Sequence, residues 1–294
     1  RDTDRSRGLG DVYKRQLIYW RITMQKVFKA RNYTLPLGEK TYVMGILNVT
    51  PDSFSDGGKW FDIDSAVEHA LQMQNDGADI IDIGAQSTRP GYTKISAEEE
   101  ENRLIPFLKA VRKAVSVPIS VDTFYSSVAE KSLEYGADII NDVTGYIDEE
   151  MYRISAKSDC GCIIMHDKAD GIKEFFESVI EKCDKYGIAR ERVCLDPGIG
   201  FNKSHSMNLE ILRECGKYRV DECAILIGAS RKRVIGAACG NPPFDQRLAG
   251  TIAAHTLSIA SGADIIRVHD VAESVQAAKV ADSIVRGYNG QDCY

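Results

Sequence analysis

Short apolar runs alternate with longer amphipathic ones along most of the chain. The short runs are YVMGILNVT (42–50), DIIDIGA (79–85), PISVDT (118–123), DIINDVT (138–144), GCIIMHD (161–167), VCLDPGI (193–199), AILIGAS (224–230) and DIIRVHD (264–270). Val, Ile and Leu in near-continuous runs mark strands buried on both faces, as in a parallel sheet covered by helices. The segments between them have helical length. SAEEEENRLIPFLKAVRKA begins with Ser96 and Glu99 at capping-box spacing, and KEFFESVIEKCDKYG ends on Gly187, suited to a left-handed C-cap. A hexapeptide recurs as DGADII (76–81), YGADII (135–140) and SGADII (261–266), each time joining a helix end to a strand start. Eight β-then-α units have the rhythm of a (βα)8 TIM barrel of about 250 residues in one domain. An open doubly wound sheet is the competing architecture.

In a barrel, chemistry sits where strands exit into the βα loops. The eight exits carry Asn48, the run 86–89, Asp122, Asn141 with Asp142, His166, Asp196, the run 230–232, and Arg267 with His269, whereas the strand starts read as plain. The first exit continues as NVTPDSFSDGG, rich in Pro, Gly and Ser, and the second as QSTRPG. Both are expected to be loops able to open and close over a ligand.

Composition narrows the partners. With 37 basic and 43 acidic residues interspersed and a net charge of −6, the chain has no basic stripe for nucleic acid. No apolar run approaches the roughly 20 residues of a membrane span, and the expected location is the cytoplasm. Eight cysteines are scattered with no C-x-x-C pair, which suits small core residues in a reducing compartment. Residues 1–23 are polar and without apolar period. They read as a disordered leader or foreign remnant before a barrel spanning 24–294.

The motifs GILNVTPDSFSDGG, DIGAQSTRPG, SVDT, IND, LDPGIGF, SRK and RVHD follow one another in strand order from 42 to 288. Together they resemble the dihydropteroate synthase family of pterin-binding enzymes. That resemblance implies condensation of 6-hydroxymethyl-7,8-dihydropterin pyrophosphate with p-aminobenzoate, giving 7,8-dihydropteroate and pyrophosphate, with Mg2+ as cofactor and a homodimer as the assembly. Sulfonamide-type analogues are then expected to compete for the aminobenzoate site. A non-synthase pterin-binding paralogue and a pterin-domain methyltransferase are the rival readings.

The same resemblance assigns roles. Asp122, Asn141, Asp196 and Lys232 are expected to bind the pterin, whose aminopyrimidinone edge offers adjacent N–H donors that a carboxylate accepts in pairs. Asn48, Arg267 and His269 are expected on the pyrophosphate, with Asn48 also a metal ligand through its carbonyl oxygen. Thr88, Arg89, Pro90, Phe201, Lys232 and Arg233 are expected around the aminobenzoate. Asp56, Lys232 and Arg267 are the catalytic candidates, Asp56 facing a cation formed as pyrophosphate departs.

Several residues keep plainer readings. Asp122 and Asp142 suit helix caps, Asp142 more so. His166 suits a buried core histidine as well as a site. Arg231 reads as structural, and His69, His205 and His255 as no one's ligands. The acidic run 98–101 reads as a solvated helix face. Three positions depart from the resembling family, which has Glu where Gln86 stands, commonly Gly where Asn202 stands and often Ser where Arg233 stands.

Overall fold

The computed structural model describes residues 26–49, 63–86 and 93–287. Eight parallel strands close into a barrel: β3 (Tyr42–Asn48), β4 (Ile80–Gly84), β5 (Ile119–Asp122), β6 (Ile139–Asp142), β7 (Gly161–Met165), β8 (Val193–Asp196), β9 (Ala224–Ile227) and β10 (Ile265–Val268), with β10 pairing back onto β3. Around it run α1 (Ile63–Asn75), α2 (Ala97–Ala114), α3 (Ser126–Glu134), α4 (Glu149–Ser158), α5 (Ile172–Tyr186) and α6 (His205–Glu214). The ring is completed by α7 (Arg233–Ala238) and α8 (Leu248–Ala260), both between β9 and β10, and by α9 (Val271–Arg286). The expected TIM barrel is therefore the observed one. The helix signals hold as well: Ser96 Oγ accepts from the Glu99 amide, and Gly187 caps α5 at φ 77°.

A hairpin that the apolar pattern did not announce precedes the barrel, with β1 (Val27–Ala30) antiparallel to β2 (Tyr33–Pro36). It closes the floor. Phe28, fully buried, packs with the inward residues Met44, Ile80, Ile139, Ile163, Cys194, Leu226 and Ile265. A Cβ on Gly161 would lie 2.8 Å from the Phe28 ring, so the glycine makes room for the plug. Burying such a side chain contributes about 1.5–3 kcal/mol. Arg31 at the hairpin turn has φ 52°, a conformation held by its guanidinium, which donates at 3.0 Å to the carbonyls of Leu133 and Ala137.

The recurring hexapeptide has a structural meaning at this end. Its glycines, Gly77, Gly136 and Gly262, have φ of 99°, 104° and 105°, a region that L side chains rarely enter. The aspartate that follows each glycine-alanine pair accepts an amide from the first or second residue of the neighbouring strand. Asp79 takes Val43 N, Asp138 takes Ile119 N and Asp264 takes Ile225 N, each at 2.9 Å. Each also meets a cation: Lys40, Arg112 and Arg219 respectively. The strand starts are thus not plain, as the sequence suggested. Three of them carry aspartates that pin adjacent strands in register.

Candidate active site

Above the apolar floor the inward positions turn polar. The period of two that points Ile80, Ile139 and Ile265 into the barrel points Asp82, Asn141 and Arg267 inward one layer higher. Arg267 is held by two carboxylates: Nε donates to Asp82 Oδ2 at 2.6 Å and Nη2 to Asp122 Oδ2 at 2.9 Å. Asp82 is completely buried, and Asn141 Nδ2 lies 3.4 Å from its Oδ2. Asp122 Oδ1 is buried with no partner. Burial pushes the Asp122 carboxyl up to about 7, opposed by Arg267 and reinforced by Asp82.

On the opposite side, Asp196 Oδ1 accepts from Gly198 N at 2.8 Å, and burial raises its carboxyl against the pull of Lys232. Lys232 caps the start of α7 and reaches back to donate Nζ to Ile199 O at 2.7 Å. The ammonium lies 4.8 Å from the centre of the Phe201 ring. Burial lowers this lysine to about 8, with Asp196 opposing and Arg267 adding to the shift. Gly228 lies beside both residues: a Cβ there would stand 3.8 Å from Arg267 Cβ and 3.9 Å from Lys232 Nζ.

The loop after β8 is built to lie close to its neighbour. Gly198 has φ 72°, and a Cβ on it would stand 2.1 Å from His166 O, inside any allowed contact. Lys203 clamps the same junction, donating Nζ to His166 O at 2.9 Å and to Phe201 O at 3.3 Å. Burial lowers Lys203 to about 8. Asn202 sits at φ 48°, where Gly or Asn is favoured over other residues, and its Nδ2 donates to Asp167 O at 2.9 Å. Asn thus meets the left-handed backbone demand of this turn and adds a side-chain bond across it.

His269 is fixed by Ser230, whose Oγ lies 3.1 Å from His269 N and 3.0 Å from Nδ1, while Phe244 meets the ring edge-on at 5.4 Å. Asn48 stands at the tip of β3, beside β4. Its Oδ1 and Asp122 Oδ2 each lie 3.9 Å from the point a Cβ on Gly84 would occupy. Both are hard oxygen donors of the kind Mg2+ takes, an ion that commonly keeps water and phosphate oxygens as its remaining ligands. Among the described residues, no group of three or more His, Cys, Asp or Glu side chains could hold a metal ion. Arg233 is exposed in the first turn of α7. Asp56, Thr88, Arg89 and Pro90 lie outside the described residues.

The geometry meets its relatives here. A family model described as pterin binding enzyme matches residues 44–269. The chain belongs to the dihydropteroate synthase family. A dihydropteroate synthase of Clostridium beijerinckii is 44% identical over 260 residues, 85% of this chain and 96% of that protein. The crystal structure of a dihydropteroate synthase from Clostridium difficile in the presence of pteroic acid superposes with a TM-score of 0.81 at 43% identity, covering 85% of this chain and 98% of the other. One from Xanthomonas albilineans with 4-aminobenzoic acid gives 0.84 at 36% identity, over 89% and 98%.

Some plainer readings need correction within this family frame. Asp142 does not cap a helix. It caps a turn, accepting Thr144 N at 2.7 Å and Tyr146 N at 3.0 Å, while Asp148 is the N-cap of α4. The acidic run 98–101 is not wholly solvated, since Glu100 is fully buried and its oxygens find no hydrogen bond of ordinary geometry. Burial pushes Glu100 up to about 7, against the pull of Thr123 and Lys94. Arg231 has the structural contacts expected of it: paired with Asp270 and lying over Phe244, with φ 55°. His166 is buried and lowered to about 4 mainly by burial, so it is neutral at pH 7. Its main chain, through Lys203 and through a 2.9 Å bond from its amide to Asp196 O, braces the site. Asp82 and Lys203 were not singled out in the sequence. Counting inward by twos from the β4 exit would have reached Asp82; no local signal marks Lys203.

Proposed function

We propose that the chain is a dihydropteroate synthase: it joins 6-hydroxymethyl-7,8-dihydropterin pyrophosphate to p-aminobenzoate and releases pyrophosphate. The observation that carries this reading is the convergence of Asp122, Asn141, Asp196, Lys232 and Arg267, from five different strand exits, on one mouth. Asp122 Oδ1, buried and without a protein partner, supplies an acceptor for a ligand N–H. Asp196 and Asn141 add acceptors across the same opening, and Lys232 donates to the ring carbonyl or nitrogen. The pterin is read by this set.

The reaction exchanges one bond at the pterin methylene. The C–O bond to pyrophosphate breaks with its electron pair leaving on oxygen, the arylamine nitrogen forms the new C–N bond, and the ammonium so formed gives up one proton. Arg267 and His269 hold the departing anion, and buried acids around the ring favour the cationic carbon left behind. Phe201 and the stem of Lys232 pack on the aminobenzoate ring, with Thr88, Arg89, Pro90 and Arg233 completing that pocket and Asp56 facing the cation. Mg2+ held at Asn48 beside Asp122 would neutralise charge on the phosphates. Sulfonamides are expected to occupy the aminobenzoate pocket.

The assembly proposed is a homodimer through α8 and α9, which leave Leu257, Val280, Ile284 and Val285 exposed. No helix among the described residues is long and apolar enough to cross a membrane. Seven cysteines among them are free, six of them buried, in keeping with a reducing cytoplasm. Pyrophosphate release with Mg2+ and the pterin pyrophosphate, assayed with and without p-aminobenzoate, tests the reading. Release that requires aminobenzoate supports synthesis; pterin binding without release points to the paralogue.

A further inference from the structure

Asp82 is the most deeply buried acid of the mouth, and no role in the reading above belongs to it. It lies on β4 opposite Ser120 of β5, below the rim residues Gly84 and Asp122. A carboxylate with no solvent must find donors within the protein. Asp82 finds two: the Arg267 Nε at 2.6 Å, and the Asn141 Nδ2 at 3.4 Å from one oxygen and 3.5 Å from the other. The second contact is long for a hydrogen bond, yet its sign is unambiguous. An amide that turned its oxygen to this carboxylate would set two acceptors against each other in a dry site.

We propose that Asp82 is a positioning residue that sets the polarity of Asn141 and the plane of Arg267. With Nδ2 drawn toward Asp82, the Asn141 Oδ1 on the far side of the amide faces the ligand as an acceptor. With Nε bound to Asp82 and Nη2 to Asp122, the guanidinium cannot rotate about its last side-chain bond without breaking a charge-assisted contact. One acid thus organises two residues that lie on β6 and β10, on either side of it. The proposal rests on the mouth taking a pterin, and deepens that reading by stating which pole of Asn141 does the reading.

The test uses calorimetric binding of 6-hydroxymethyl-7,8-dihydropterin, which carries no pyrophosphate, so lost charge near Arg267 does not confuse the readout. Asp82→Asn is expected to weaken pterin binding at least tenfold, with KM for p-aminobenzoate changed less than twofold. Asn141→Asp, which sets a carboxylate against Asp82, is expected to be as damaging. The swap Asp82→Asn with Asn141→Asp should return affinity to within about threefold of wild type, because the donor then comes from position 82 and an acceptor still faces the ligand. A merely structural role would give two additive losses. Pterin affinity within twofold in folded Asp82→Asn, or a folded swap no better than its parents, overturns the proposal. If Asp82→Asn alone does not fold, the swap decides by itself. A wild-type protein that binds no pterin would overturn both this inference and the reading beneath it, whereas wild-type binding with an indifferent Asp82 overturns the inference alone.

Discussion

The two ends of the barrel use the same side chain in opposite ways. At the floor, Asp79, Asp138 and Asp264 each accept a backbone amide at 2.9 Å and each meet a Lys or Arg. At the mouth, Asp82 and Asp122 share a single guanidinium, Asp122 keeps an oxygen without a partner, and Asp196 is raised by burial. The floor acids are satisfied by the protein that contains them, whereas at the mouth only Asp82 is met wholly from within and Asp122 keeps an oxygen for a ligand. Binding sites keep such unmet groups at the expense of stability. The difference teaches how to separate structural from functional aspartates by asking whether the fold itself supplies the donors.

Substitutions at each end should then fail in different assays. The largest effect is expected at the mouth: Asp196→Asn keeps an acceptor for Gly198 N but places an amide donor against ligand N–H groups. Its kcat/KM for the pterin pyrophosphate should fall about 10³-fold, roughly 4 kcal/mol, with Tm shifted by only a few degrees. At the floor, Asp264→Ala takes the counter-charge from the Arg219 guanidinium, 2.7 Å away and left with only the Cys223 and Gly262 carbonyls, and strands the Ile225 amide. Denaturant unfolding should show a loss of about 3–4 kcal/mol with kcat/KM of the surviving folded enzyme unchanged. A floor variant that loses activity without stability would erase the contrast.

The fold was legible because eight apolar runs at regular spacing leave few alternatives, and the mouth was legible because each run ended in a polar residue that the core had no use for. What escaped reading was buried charge that does not stand at an end. Asp82 looks, in DIIDIGA, like an interruption of a strand, and only the closed barrel, with β3 paired to both β4 and β10, shows that it faces Arg267. Glu100 sits in a run of four glutamates that resembles a solvated face, yet the helix phase turns one of the four inward. The hairpin at 27–36 is too short and too polar to announce itself, and its meaning depends on Phe28 reaching the distant Gly161. The aspartates of the GADII repeat were visible, but their bonds run to neighbouring strands that sequence does not align.

Glu100 sharpens the contrast by pH. Its carboxyl is near 7 in the folded protein and near 4.5 unfolded, so the folded state holds the proton more tightly. The stability this contributes is fully present below pH 4.5 and is lost as pH rises through 7, a change of about 3 kcal/mol. Glu100→Gln cannot ionise and should lack that loss. Urea unfolding at pH 5 and pH 8 should show the variant gaining on wild type at the higher pH by up to about 3 kcal/mol. An equal difference at both pH values would show that Glu100 does not hold a proton when folded.

The smallest expected effect concerns backbone rather than charge. Asn202 occupies φ 48° between Phe201 and Lys203, two residues that shape the mouth, and donates to Asp167 O. Asn202→Gly removes the side-chain bond and loosens the unfolded chain, yet relieves the residual cost of a left-handed Asn. These opposing terms should leave a loss below about 1 kcal/mol. Asn202→Val has no such relief: a branched Cβ in this region costs about 1–2 kcal/mol, and the loop should respond by shifting Phe201. KM for p-aminobenzoate should therefore rise severalfold in the valine variant and stay within twofold in the glycine variant, with the pterin affinity of both near wild type. If glycine were the worse of the two, the loop would owe its shape to the Asn202 amide bond and not to its backbone conformation, and the rim of the mouth would be held by side-chain donors as the floor is.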